Sequence, residues 1–183
     1  MTAPSGRADT TEDPMPFEIR ADLPASLVPL AWMLGRWEGA GVVGYDDVPE
    51  RRFGQEAVFT HDGLGGLSYR SQSWYLDEDG TPTEPMTSES GVWRTGDDGR
   101  GGVQVELLLT QPEGAVEIYL GRATGTKIEL VTDLVARTST STGRYTAGQR
   151  IYGAVEADLL WALDVATPTT PLRSYASARL KKA

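Results

Sequence analysis

From Gly35 onward the chain alternates apolar and polar residues with a period of two. Most of the alternating runs end at glycine, proline or aspartate. The run RRFGQEAVFTH, 51–61, places Phe53, Gln55, Ala57 and Phe59 on one side of an extended strand. Comparable runs occupy 35–45, 66–76, 86–95, 102–110, 115–124, 127–135, 143–154, 158–167 and 172–180. Turn chemistry separates them: Asp79-Gly80, then GDDGRGG, then QPEG as a strong hairpin sign. The connections are too short for parallel crossovers. About ten strands in antiparallel succession predict an up-and-down barrel or a sandwich. One segment breaks the rhythm. LPASLVPLAWMLG, 23–35, reads as a short helix capped by Ser26, running to Trp32 and stopped at Gly35, with Pro29 in its first turn.

Composition narrows the classes. The chain has 183 residues, 39% hydrophobic and 23% charged, enough for one domain with a real core. That domain is expected at 23–183, after a tail at 1–22 rich in Thr, Pro, Gly and Asp that is expected to be disordered. The tail has no apolar stretch of a signal peptide, and no run reaches the roughly 18 apolar residues of a membrane span. A net charge of −9 without a basic stripe argues against a nucleic-acid groove and against docking on anionic membrane. The absence of cysteine removes disulfides, thiolate zinc and cysteine nucleophiles, and it fits a cytoplasmic location. A single histidine, His61, removes any histidine-based metal cluster.

Candidate chemistry is sparse. There is no G-x-S-x-G, no phosphate-cradling Gly-Lys-Ser/Thr loop and no H-E-x-x-H. Asp46, Asp47, Asp77, Glu78, Asp79, Asp97 and Asp98 fall in turns and read as solvated turn residues. Glu89 differs, because in ESGVW it shares a strand face with Gly91 and Trp93. Facing inward, its carboxylate needs a partner such as arginine. Gly35, Trp37, Gly39 and Gly41 form Gly-x-Trp-x-Gly-x-Gly on one face, the pattern of a strand that bends sharply beside a large ring. Near the chain's end, Arg173 and Tyr175 stand two apart on one face of a strand, and the opposite face is more apolar. Inward, they would offer a guanidinium and a phenol to a carboxylate. Outward, they are an ordinary exposed pair.

Taken with PLAWMLG, FTHDG, ESGVWR and the ending TTPLRSYASARL, the Gly-x-Trp-x-Gly-x-Gly element resembles the nitrobindin family over roughly 27–181. The resemblance implies a ten-stranded antiparallel up-and-down β-barrel, related in shape to fatty-acid-binding proteins, with one short N-terminal helix. It also implies ferric haem held by a histidine in the final strand, a place that Tyr175 takes here. No cofactor is therefore expected, nor the haem-dependent peroxynitrite isomerase activity of the family. The alternative is haem b with Tyr175 as axial ligand, Arg173 favouring the phenolate, and nitric oxide or peroxynitrite chemistry.

Fatty-acid-binding proteins carry an Arg-x-Tyr pair in the last strand, which the resemblance transfers to Arg173 and Tyr175 as an inward anchor. Arg150 or Arg137 is expected to supply a second guanidinium, and His61 to stand at the rim. The expected function is binding of a small hydrophobic or carboxylate ligand in the cavity. Trp37, Trp74, Trp93 and Trp161 are expected to line its wall or pack in the core. A barrel acting only through its surface is the third reading.

Overall fold

The computed structural model describes residues 22–183 apart from Asp47, Asp62 and Arg144. All of the expected tail but Asp22 lies outside the described residues, as does Asp47. The strands are β1 (Gly35–Tyr45), β2 (Val48–His61), β3 (Leu67–Leu76), β4 (Pro82–Asp97), β5 (Val103–Gln111), β6 (Ala115–Thr124), β7 (Lys127–Arg137), β8 (Ala147–Val155), β9 (Asp158–Ala166) and β10 (Arg173–Lys182). Each pairs antiparallel with the next, and β10 returns to β1, so the ten strands form a closed barrel. The barrel, not the sandwich, is thus the architecture. β4 runs beyond its expected bounds at both ends, while β8 starts only at Ala147, because the Ser/Thr-rich stretch before it stays irregular.

Closure depends on how near β10 approaches β1. A methyl group on Gly39 would lie 2.9 Å from the Leu180 Cα. One on Gly41 would lie 2.7 Å from the Phe53 ring, whose side chain is wholly buried. The glycines therefore supply the backbone approach and the ring space that the motif predicts.

The N-terminal helix departs from expectation in type and ends. It is a 3₁₀ helix over Ala25–Met33, with Pro24 at its N-cap and no side-chain capping bond. Ser26 does not cap; its carbonyl accepts the Thr95 hydroxyl. Pro29 sits mid-helix, where an α-helix would lose a bond and clash with a carbonyl, and the tighter 3₁₀ winding is the form observed. Leu34 closes the helix by donating its N–H to the Ala31 carbonyl at 3.2 Å, and Gly35, at φ 116°, turns the chain into β1.

This helix plugs one end of the barrel. Leu27, Leu30, Trp32 and Met33 are buried among Trp37, Phe59, Leu67, Trp93, Leu107 and Leu180. The Trp37 indole N–H donates to the Met33 carbonyl at 2.7 Å, tying plug to wall. Trp93 meets Tyr152 edge-to-face at 5.0 Å, and Phe59 lies 4.9 Å from Tyr69. The core therefore fills the helix end and leaves the other end to be built differently.

Candidate functional site

Halfway along the barrel the inward positions turn polar. Period-two alternation carries β4 from Trp93 through Gly91 to Glu89, and β8 from Tyr152 to Arg150. The Arg150 side chain is 2% exposed and meets Glu89 in two parallel contacts, Nη2 to Oε1 at 2.5 Å and Nη1 to Oε2 at 3.1 Å. Arg150 is thus the arginine that an inward Glu89 requires. Nη1 also donates to the Tyr152 hydroxyl at 3.3 Å. The Tyr69 hydroxyl donates to Glu89 Oε2 at 3.1 Å, and the Gln111 amide reaches Oε1 at 3.5 Å.

Electrostatics follow from this packing. Burial alone pushes the Glu89 carboxyl up, but the Arg150 charge and the hydrogen bonds of Arg150, Tyr69 and Gln111 outweigh it, so its pKa lies below the ordinary carboxylate value. Burial and the neighbouring Glu89 raise the Tyr69 phenol well above its usual value. The pair is ionised and mutually neutralised.

Above this layer lies a cavity of about 310 Å³, opening at the end opposite the helix. Phe53, Trp161, Leu163 and Val165 give it an apolar wall. Gln55 stiffens that wall: its amide donates to Ser71 Oγ at 2.7 Å, and its carbonyl accepts the Trp161 indole N–H at 2.7 Å. Tyr45, Tyr75 and Tyr175 stand around the mouth with Glu113 and Arg137. Tyr45 and Tyr175 meet edge-to-face at 6.1 Å.

The structure brings Tyr175, Arg150 and Arg137 to this one cavity. Arg137 is exposed and lies over the Tyr145 ring at 5.9 Å. Arg173 and His61 are elsewhere. The expected convergence of Arg173 with Tyr175 requires correction. Pairing of β10 with β9 runs Arg173↔Val165, Ser174↔Asp164, then Ala176↔Leu163. Tyr175 is the extra residue of a β-bulge, so that it and Ala176 both line the cavity although they are adjacent in sequence, and Arg173, opposite Val165 at the first residue of β10, stands at the rim. Tyr175 turns to the cavity, whereas the Arg173 side chain is 57% exposed and pairs with Asp46 at 3.0 Å. Below the bulge the inward series is Ala176, Ala178 and Leu180, the apolar face of the segment.

His61 lies at the helix end of β2, with Nε2 3.9 Å from Asp22, a barrel's length from the mouth. Trp37 and Trp93 belong to the core, and Trp161 to the cavity. Trp74 lies on the outer wall, its indole filling the space beside Gly54. Of the turn acids, Asp77 accepts Thr81 N–H at 2.8 Å, and Asp98 accepts the N–H groups of Arg100 and Gly102 but is largely covered and ion-paired with Arg122 rather than solvated. No group of acids and histidine capable of holding a metal ion occurs among the described residues.

Tyr45, Tyr75, Glu113 and Tyr145 at the mouth were not foreseen. Tyr45 shares the parity of Trp37, and Tyr75 that of Tyr69, so both were within reach of the period-two reading. Glu113 lies in the QPEG turn, where alternation carries no information.

Comparison with known proteins places these features among relatives. The family of THAP4-like, heme-binding β-barrel domains matches residues 26–182. A ferric nitrobindin-like protein of Kineococcus radiotolerans is 51% identical, over 92% of this chain and 99% of that protein. A peroxynitrite isomerase of Leifsonia xyli subsp. xyli is 43% identical, over 91% of this chain and 99% of that protein. The crystal structure of Rv2717c from M. tuberculosis superposes with a TM-score of 0.75 at 30% identity, covering 88% of this chain and 99% of that one.

Proposed function

The chain belongs to the family of THAP4-like, heme-binding β-barrel domains, and from that premise we propose that it binds a small guest with a largely apolar body in the mouth cavity, without haem. The observation that carries this reading is the cavity itself. Its volume of about 310 Å³ suits a compact guest, near the lower end of the ~300–1,000 Å³ typical of small-molecule pockets. Apolar wall and few fixed polar groups are the usual make-up of such a site.

The donor set argues against haem. Among the described residues no imidazole lines the cavity. Of the phenols there, Tyr175 is the one at the place in the last strand where relatives of this kind are expected to carry the axial histidine. Burial raises its pKa first, and Tyr75, Glu113 and Glu89 raise it further. Arg173, the cation expected to favour a phenolate, is engaged with Asp46. A neutral phenol is a poor ligand for ferric iron, so the residues present do not fit the group. The relatives' heme binding and peroxynitrite isomerisation are therefore not carried over to this chain.

The test is a paired titration. The neutral probe 2-naphthylmethanol is expected to bind at 1:1 stoichiometry and to quench Trp161 in the wall. Ala176→Leu and Val165→Phe, which fill the cavity, are expected to weaken that binding while the far-ultraviolet circular dichroism is unchanged. Hemin is expected to give no Soret band that depends on Tyr175. A 1:1 hemin complex whose band is lost in Tyr175→Phe would overturn the reading.

A further inference from the structure

We infer that the cavity selects a guest bearing a positive charge, a protonated or quaternary amine on an aromatic or aliphatic body, and disfavours carboxylates. The inference rests on the cavity being a binding site and names the class of ligand it takes.

The argument begins with the cations already present. Arg150 is the deepest, and Glu89 neutralises it in two parallel contacts, with Tyr152 taking a further bond from it. A carboxylate reaching that floor would meet Glu89 as well as Arg150 and would have to break a buried pair, leaving a charge unmatched. Arg173 is held outside by Asp46 at 3.0 Å. Arg51, stacked 3.5 Å above the Tyr75 ring at the rim, is paired with Glu84 at 2.8 Å. Arg137 lies on β7, which the strand order places across the barrel from β1, β2 and β3.

The other side of the mouth has the opposite character. Tyr45 on β1 and Tyr175 on the adjacent β10, with Tyr75 on β3 beyond β2, line one space. Glu113, on the turn between β5 and β6 near Arg137, lines the same cavity and accepts from the Thr87 hydroxyl at 3.4 Å, with no ion pair to it among the described residues. Ring faces carry negative potential and attract cations, more strongly where water is excluded. The direction of the Tyr175 shift agrees, since the groups that raise its pKa beyond burial are Tyr75, Glu113 and Glu89. Three rings around a partly apolar space, with a carboxylate that no ion pair holds among the described residues, form a receptor for an organic cation.

The experiment uses three probes of one shape: 2-naphthylmethyl-trimethylammonium, 2-naphthylmethanol and 2-naphthylacetate. Their affinities are measured by calorimetry on the full chain at low salt. The cation is expected to bind about tenfold tighter than the neutral probe, within the range of a desolvated cation–ring contact. The carboxylate is expected to bind more weakly than the neutral probe. Glu113→Gln, at an exposed turn, and Tyr175→Leu are each expected to reduce the ratio of cation to neutral-probe affinity several-fold. Equal or tighter binding of 2-naphthylacetate overturns the inference and leaves the cavity reading standing. So does a preference for the cation that survives both substitutions. Failure of all three probes to bind overturns the cavity reading itself.

Discussion

At the helix end of the barrel the inward positions are rings and aliphatic chains packed on one another. At the mouth they are phenols, amides and carboxylates around open space. The same strands build both ends with the same alternation, so secondary structure does not make the difference. β4 shows it within one strand: Trp93 is wholly buried in the core, and Glu89, four residues away on the same face, begins the polar floor. The division lets one end carry the apolar burial that holds the fold. The other end is then free to hold groups that contribute little to stability and set what can enter. The Glu89–Arg150 layer is the boundary, and it is ionic although it is largely buried.

The largest effects are expected where the comparison is broken at its dense end. Trp93→Ala removes a wholly buried ring that touches Tyr152, Tyr69 and Phe59. It is expected to cost about 3–5 kcal/mol in urea unfolding, with the affinity for 2-naphthylmethanol little changed in the folded fraction. A loss of affinity matching the loss of stability would mean that the two ends are not separable. Next in size is the boundary. Arg150→Met leaves Glu89 buried without its cation, and about 3 kcal/mol of destabilisation is expected. The double variant Glu89→Gln, Arg150→Met is expected to be more stable than Arg150→Met alone, because no charge is stranded.

The boundary also has a pH signature. The Glu89 pKa is depressed in the folded protein, so its contribution is fully present above the ordinary carboxylate value of 4.5 and is lost as pH falls through the folded value. Urea midpoints measured from neutral pH downward are therefore expected to fall in that acid window. Glu89→Gln is expected to flatten that part of the curve, and an unaltered acid limb in this variant would remove the pair from the account.

How far these ends could be read beforehand depends on whether alternation persists. On β4 it runs unbroken from Trp93 to Glu89, so the need for an arginine opposite Glu89 was visible, though not its identity as Arg150. Gly39 and Gly41 announced the close approach of β10 because glycine spacing reports directly on backbone contact. The ten-strand succession was legible because almost every connection carries turn residues. The type of the N-terminal helix was not, since Pro29 is compatible with the first turn of an α-helix as well as with 3₁₀ winding. Least legible was the mouth. Glu113 and Tyr145 lie in irregular segments with no parity to follow. Tyr175 sits in a bulge that a strictly alternating reading passes over.

The start of β10 gives the smallest expected effect and the sharpest test of how the mouth is built. If the Arg173 guanidinium turned into the cavity beside Tyr175, removing it would weaken carboxylate guests strongly. In the structure it pairs at the surface with Asp46, both side chains substantially exposed. Exposed pairs of this kind contribute at most about 1 kcal/mol, and salt screens them. Arg173→Ala is therefore expected to shift stability by less than about 1 kcal/mol and to leave the affinities of all three naphthyl probes within about twofold. Tyr175→Leu, two residues along, is expected to lower the preference for the cation. A matched pair of substitutions so close in sequence, one silent and one selective, follows only if Tyr175 lines the cavity while Asp46 holds Arg173 at the rim. If Arg173→Ala instead weakens 2-naphthylacetate by tenfold or more, the guanidinium reaches the guest, Asp46 does not hold it at the rim in solution, and the mouth is a site for anions.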